Sequence, residues 1–151
     1  RNLRREAPAE ILEVDIDLPG EAYLPDRYIP ELKAKIDLYR RLARITTEAE
    51  AGDLREEMSD RFGEPPPVAA RLLDLAVLRI DAAIWAIHSI RVEPSYLVLG
   101  YADRSRVKQL QRRSKQPLRI VDAQTAYIPL GGTEKDPDKV FQAVKSLLRA
   151  D

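Results

Sequence analysis

Glu56-Glu57-Met58-Ser59-Asp60-Arg61-Phe62-Gly63, with Pro65-Pro66-Pro67 close behind, is the stretch on which the reading of this chain turns. Leu54, Met58 and Phe62 (or Arg61) recur at helical spacing and mark the inward side of a helix. Gly63 supplies the positive φ that ends it. The prolines cannot continue a helix but are suited to begin one, so a second helix starts there. Glu57 and Asp60, three apart, share a helical face. Asp53 extends the row by one turn and Glu56 flanks it. Such carboxylates could receive a cluster of arginines or lysines. The chain offers no comparable set of catalytic residues, so docking is expected rather than chemistry.

Upstream, Thr47 with Glu50 three residues later has the form of a capping box for this helix. Before it, Pro30 sits where a first helical turn tolerates proline. Leu32, Ile36, Tyr39 and Ala43 then recur at steps of four, three and four, while Leu38, Leu42 and Ile45 widen the stripe into a broad buried face. Further back, residues 11–18 alternate apolar and acidic, with Val14, Ile16 and Leu18 on one side. A strand with one buried face is predicted, ended by Pro19-Gly20.

Downstream of the prolines, a long helix is predicted to about Ala86. Val68, Leu72, Leu75, Ala76, Ala82, Ala83 and Ala86 line one side, and Leu73, Val77, Ile80, Ile84 and Trp85 make it apolar nearly all round, which suits a central helix. The period then changes. Strands are predicted over 87–92 and 96–101, a basic helix capped by Asp103 over 104–114, strands over 118–121 and 125–130, and a last helix opened by Asp136-Pro137. The fold class expected is α+β: a helical first half packed with a small antiparallel sheet and helices in the second half. The domain boundaries read from the chain are a linker at 1–12, a helix-rich lobe at 13–90 and a small α/β lobe at 91–151, together one compact domain.

Composition narrows the function classes. Of 151 residues, 44% are hydrophobic and 33% charged, enough for a core and a well-charged surface. There is no cysteine and one histidine, His88, which removes disulfides, thiolate sites and histidine-based zinc sites. No run approaches the ~18 apolar residues of a membrane helix, and the first ten residues lack a signal-peptide core, so a cytoplasmic setting is expected and no membrane partner. The linker-like start, without an initiator methionine, suggests a piece of a larger protein. Net charge is zero but uneven: residues 1–75 carry 12 basic and 17 acidic side chains, and residues 76–151 carry 13 and 8. That balance argues against nucleic-acid binding by the whole chain.

Each constellation has a plainer reading beside the functional one. Glu57 can pair with Arg61 at i,i+4 and leave the other carboxylates merely solvated. Gly131-Gly132-Thr133 near a helix start could cradle a phosphate, but it lacks the lysine and spacing of a P-loop and reads as a turn. Arg104, Arg106, Lys108, Arg112, Arg113 and Lys115 could meet phosphates as an accessory DNA-binding lobe, the alternative function, or form a solvated face. His88 carries no assigned role, and Trp85 reads as core.

Three segments resemble the C-terminal domain of the bacterial transcription-repair coupling factor family (Mfd). They are Tyr28-Ile29-Pro30; Lys35-Ile36-Asp37-Leu38-Tyr39-Arg40-Arg41-Leu42-Ala43; and Glu57-Met58-Ser59-Asp60-Arg61-Phe62-Gly63 with its prolines. Order and spacing match over about residues 13–90, whereas the second half carries no diagnostic motif. Lys35 stands where the family has arginine, and Met58-Ser59 replaces a more apolar pair.

The resemblance implies a parent that is an ATP-driven double-stranded-DNA translocase. Such a parent uses ATP and Mg in its motor domains, dislodges stalled RNA polymerase and recruits UvrA for nucleotide excision repair. It further implies that this domain has no catalysis and no cofactor of its own. It would dock in cis on the UvrB-like amino-terminal module, masking UvrA binding and restraining the motor. By the same resemblance the carboxylates matching Glu57 and Asp60 take part in that contact, with Asp53 and Glu56 extending it.

Overall fold

A computed structural model describes residues 13–149, so the linker read at 1–12 lies outside the described residues. Its elements are β1 (Asp15–Asp17), α1 (Leu32–Ala43), α2 (Glu48–Phe62), α3 (Pro67–Ile84), β2 (Ile87–Glu93), β3 (Tyr96–Tyr101), α4 (Arg104–Arg113), β4 (Arg119–Ile120), β5 (Thr125–Pro129) and α5 (Pro137–Leu148). This is the expected α+β class. The described chain divides into two compact units: residues 21–80, and residues 13–20 with 81–149. The division falls within α3.

The first unit is helical. Thr47 caps α2 as its sequence predicts: its side chain accepts from the Glu50 N–H at 3.1 Å, and the Glu50 carboxylate accepts from the Thr47 N–H at 3.3 Å. Gly63 ends the helix at φ +90°, a conformation costly for any residue with a Cβ. Its N–H donates to the Ser59 carbonyl at 3.0 Å. Tyr28 fixes this corner from outside. Its hydroxyl donates to the Gly63 carbonyl at 2.7 Å, and its ring meets Phe62 edge-on at 5.9 Å. The Tyr28-Ile29-Pro30 and Arg61-Phe62-Gly63 segments, distant in sequence, are thus neighbours in space.

α1 departs from expectation. Its buried residues are Ala34, Leu38 and Leu42, with Ile45 just beyond, whereas Leu32 is 69% exposed, Ile36 42% and Tyr39 41%. The Leu32, Ile36 and Tyr39 stripe faces outward, and the Leu38, Leu42 and Ile45 stripe is the core. Tyr39 is held where it lies by its hydroxyl, which accepts from the Leu24 N–H at 2.9 Å. At the other end of α1, Arg79 of α3 donates to the Leu42 carbonyl at 3.3 Å, and burial draws the Arg79 pKa below its ordinary value.

The second unit is built on a five-stranded sheet in the order β1-β2-β3-β5-β4. The sheet is mixed rather than wholly antiparallel. β1 runs parallel to β2, Asp15 opposite Ser89, because the three helices between them form a crossover long enough to return the chain in the same direction. The remaining pairs are antiparallel. β3 is central, and Leu97 through Tyr101 are buried on both faces. At Gly100 the side chains of neighbouring β2 crowd the strand: an added Cβ would collide with Ser89 Oγ and lie 2.9 Å from His88 Cε1. Asp136 caps α5, which buries Val140, Phe141, Val144, Leu147 and Leu148. Trp85 is buried and donates its indole N–H to the Leu148 carbonyl at 2.8 Å.

Candidate functional site

α2 turns one side, Ala51, Leu54 and Met58, into the core. Residues three and four apart on the opposite side then share the solvent face. Asp53, Glu56 and Asp60, spaced by three and four, are all exposed and make no ion pair or hydrogen bond among the described residues. Their spacing puts them on one face of a single helix, so their charges sum rather than being neutralised in place.

Glu57 behaves differently. It lies at the edge of the row nearest α1, where Arg41 grips it through both oxygens, Nη1 to Oε2 at 2.8 Å and Nη2 to Oε1 at 2.6 Å. Arg61 adds a third contact at 3.1 Å. Two parallel N–H···O bonds fix orientation as well as charge. The hydrogen bonds from Arg41 outweigh the opposing effect of partial burial, and with those from Arg61 they lower the Glu57 pKa from 4.5 to about 2. The same contact raises the pKa of Arg41, which also faces Asp37 at 3.7 Å. The Glu57–Arg61 pair foreseen as the plainer alternative is therefore present. The stronger partner, Arg41, comes from another helix. No spacing rule connects positions 41 and 57, so sequence reasoning missed it; the available signal was the Arg41 already inside the family-like segment.

Beside this pair lies a recess of about 260 Å³ lined by Arg41, Arg44, Ile45, Glu50, Asp53 and Leu54. Asp53 belongs to its rim as well as to the α2 row. At the segment's far end Arg55 reaches Glu64 at 3.5 Å, and the Arg61 guanidinium lies over the Phe62 ring at 4.7 Å.

The other motifs take the plainer roles. Gly131 and Gly132 adopt φ of +60° and +86°, and both the N–H and the hydroxyl of Thr133 donate back to the Leu130 carbonyl, which closes a turn. His88 is exposed on β2. Among the described residues no group of three or more His, Cys, Asp or Glu side chains could hold a metal ion, and no helix is long and apolar enough to cross a membrane.

Fold and site together define an α+β domain that presents charged helical faces. Comparison with known proteins sharpens this. The TRCF domain family profile matches residues 18–111, and the chain belongs to that family. A transcription-repair-coupling factor of Staphylococcus aureus (strain USA300) is 38% identical over 78 residues, 52% of this chain and 7% of that protein. One of Staphylococcus epidermidis is 34% identical over 82 residues, 54% of this chain and again 7% of the relative. The match thus spans only a small part of these relatives' length. A crystal structure of the C-terminal domain of transcription-repair coupling factor superposes with a TM-score of 0.75 at 21% identity, covering 97% of this chain and 96% of that one, and shares its fold.

Proposed function

We propose that this chain is a regulatory, autoinhibitory C-terminal domain of a transcription-repair coupling factor. It docks in cis on the UvrB-like amino-terminal module, masks the UvrA-binding surface and restrains the ATP-driven DNA translocase of the parent. The observation that carries this reading is the α2 face: Asp53, Glu56 and Asp60 stand exposed and unpaired among the described residues, beside a Glu57 held ionised and oriented. A face of this kind complements a basic surface.

Docking within one chain is helped by high effective concentration, so a modest interface can hold a resting state closed. Truncating one partner of a desolvated charge pair costs ~2–5 kcal/mol, enough to shift a closed-to-open equilibrium strongly. Asp60→Lys is the clean probe, because Asp60 makes no ion pair or hydrogen bond among the described residues. Glu57→Lys would set an ammonium against Arg41 and Arg61 and disturb the fold as well.

Calorimetry of this chain with the separately expressed UvrB-like module is the test. Binding by the wild type that disappears in Asp60→Lys, with unchanged thermal melting, is expected. Equal binding by both proteins, or none by the wild type, would overturn the docking face.

A further inference from the structure

We propose that the exposed face of α4 binds the phosphate backbone of duplex nucleic acid. The helix is anchored from the other side. Val107 and Leu110 are buried, Asp103 caps its start, Arg106 donates to the Ile84 carbonyl at 2.7 Å, and Gln111 donates to the Leu118 carbonyl at 2.9 Å. Arg113 lies over the Trp85 ring at 5.6 Å. Arg106 and Arg113 are thus engaged inside the unit. The cations left over are Arg104, Lys108 and Arg112, with Lys115 just past the helix end; all are exposed, and none forms an ion pair among the described residues.

Arg104, Lys108 and Arg112 stand at successive steps of four, one above another on one face and ~6 Å apart along the axis. Helix stability does not account for this row. Like charges at i,i+4 repel, and Arg104 lies in the first turn, where the helix dipole disfavours a cation. α4 contains no acidic residue to offset either effect. Elsewhere the chain does balance such rows, with Asp37–Arg41 in α1 and Glu57–Arg61 in α2.

The chemistry of the face selects its partner. The residues among the cations, Ser105 and Gln109, are polar, whereas the centre of a protein–protein interface is apolar and depleted in lysine. No aromatic residue lies in α4 to stack unpaired bases, which disfavours single strands. What remains is a line of cations and hydrogen-bond donors suited to phosphates, giving binding without sequence preference. This face uses none of the α2 carboxylates, so it stands or falls separately from the docking reading.

The test is fluorescence anisotropy of a short labelled DNA duplex titrated with the 151-residue chain at several salt concentrations, wild type beside Arg104→Gln/Lys108→Gln/Arg112→Gln. Three to four phosphate contacts predict that log K falls with log salt at a slope of roughly −3. The triple variant is expected to lose roughly three units of that slope, about one per side chain, with its circular dichroism unchanged. If the triple variant does not fold, Lys108→Gln alone should lose about one unit. No wild-type binding at low salt, an unchanged slope in the folded variant, tighter binding to single strands, or equal displacement by poly-glutamate would each overturn the proposal.

Discussion

The carboxylate of Asp81, 1% exposed near the end of α3, accepts from Arg149, just beyond α5, at 2.8 Å. Among the described residues it is the one charged side chain that is buried. A buried carboxylate is tolerated only when it is paired and hydrogen-bonded, so this contact joins the last turns of α3 to the end of α5. Arg149→Met would remove one of the partners of Asp81 and is expected to cost about 1–3 kcal/mol in urea unfolding. Asp81→Leu combined with Arg149→Met should recover most of that loss, since an apolar pair needs no compensation.

The Glu57 contacts predict a stability change at low pH. Its pKa lies near 2 in the folded chain against an ordinary 4.5, so ionised Glu57 contributes stability above about pH 4.5. That contribution falls away between pH 4.5 and 2. Its side chain is 36% exposed, so solvent screening limits the pair to the range of surface pairs, ~0–1 kcal/mol. Glu57→Gln should therefore melt slightly below wild type at neutral pH, with the gap closing near pH 2. A gap that widened on acidification would contradict this.

Thr47→Ala removes one arm of the capping box at the start of α2. A loss of ~1 kcal/mol is expected, read from the denaturation midpoint. Thr47→Ser, which keeps the hydroxyl, should remain close to wild type.

α1 gives opposite predictions for its two apolar stripes. Leu38 is fully buried, and Leu38→Ala should cost ~2–5 kcal/mol. Leu32 is mostly exposed, and Leu32→Lys should change stability by no more than ~0.5 kcal/mol. Equal losses for the two would show that the outward stripe is core after all.

Gly100→Ala should destabilise the sheet, to a degree set by how far the Ser89 and His88 side chains can turn aside. The new methyl would collide with Ser89 Oγ and the His88 ring, and relieving such overpacking typically costs 1–3 kcal/mol. Reducing Ser89 to alanine as well should restore part of the loss in a double-mutant cycle.

Those contrasts show what could be read in the residues and what could not. Local signals were decisive wherever a few neighbouring residues settle the outcome. Thr47 with Glu50, Gly63, Asp103 and Asp136-Pro137 all mark ends that the chain obeys. In α1 periodicity offers two stripes, and only the elements packed against the helix decide which is buried. The sheet's mixed character and the Arg41–Glu57 contact also depend on residues far apart in sequence, for which pattern gives no distance. Of the α2 row, the exposure of Asp53, Glu56 and Asp60 follows from their spacing opposite Leu54 and Met58. The inward turn of Glu57 does not.

The parallel pairing of β1 with β2 also sets an order of assembly. Asp15 must wait for Ser89, so every residue of the helical unit has to leave the ribosome before the sheet can gain its edge strand. Closing a loop of that length carries an entropic cost ahead of any reward, which slows the step relative to the local hairpins. Until then β1 is an unpaired strand with an alternating apolar side, a segment open to pairing with the wrong neighbour. The helical unit behaves as an insertion within the sheet unit. Trimming the chain to begin at Asp81 would remove an edge strand rather than isolate a domain.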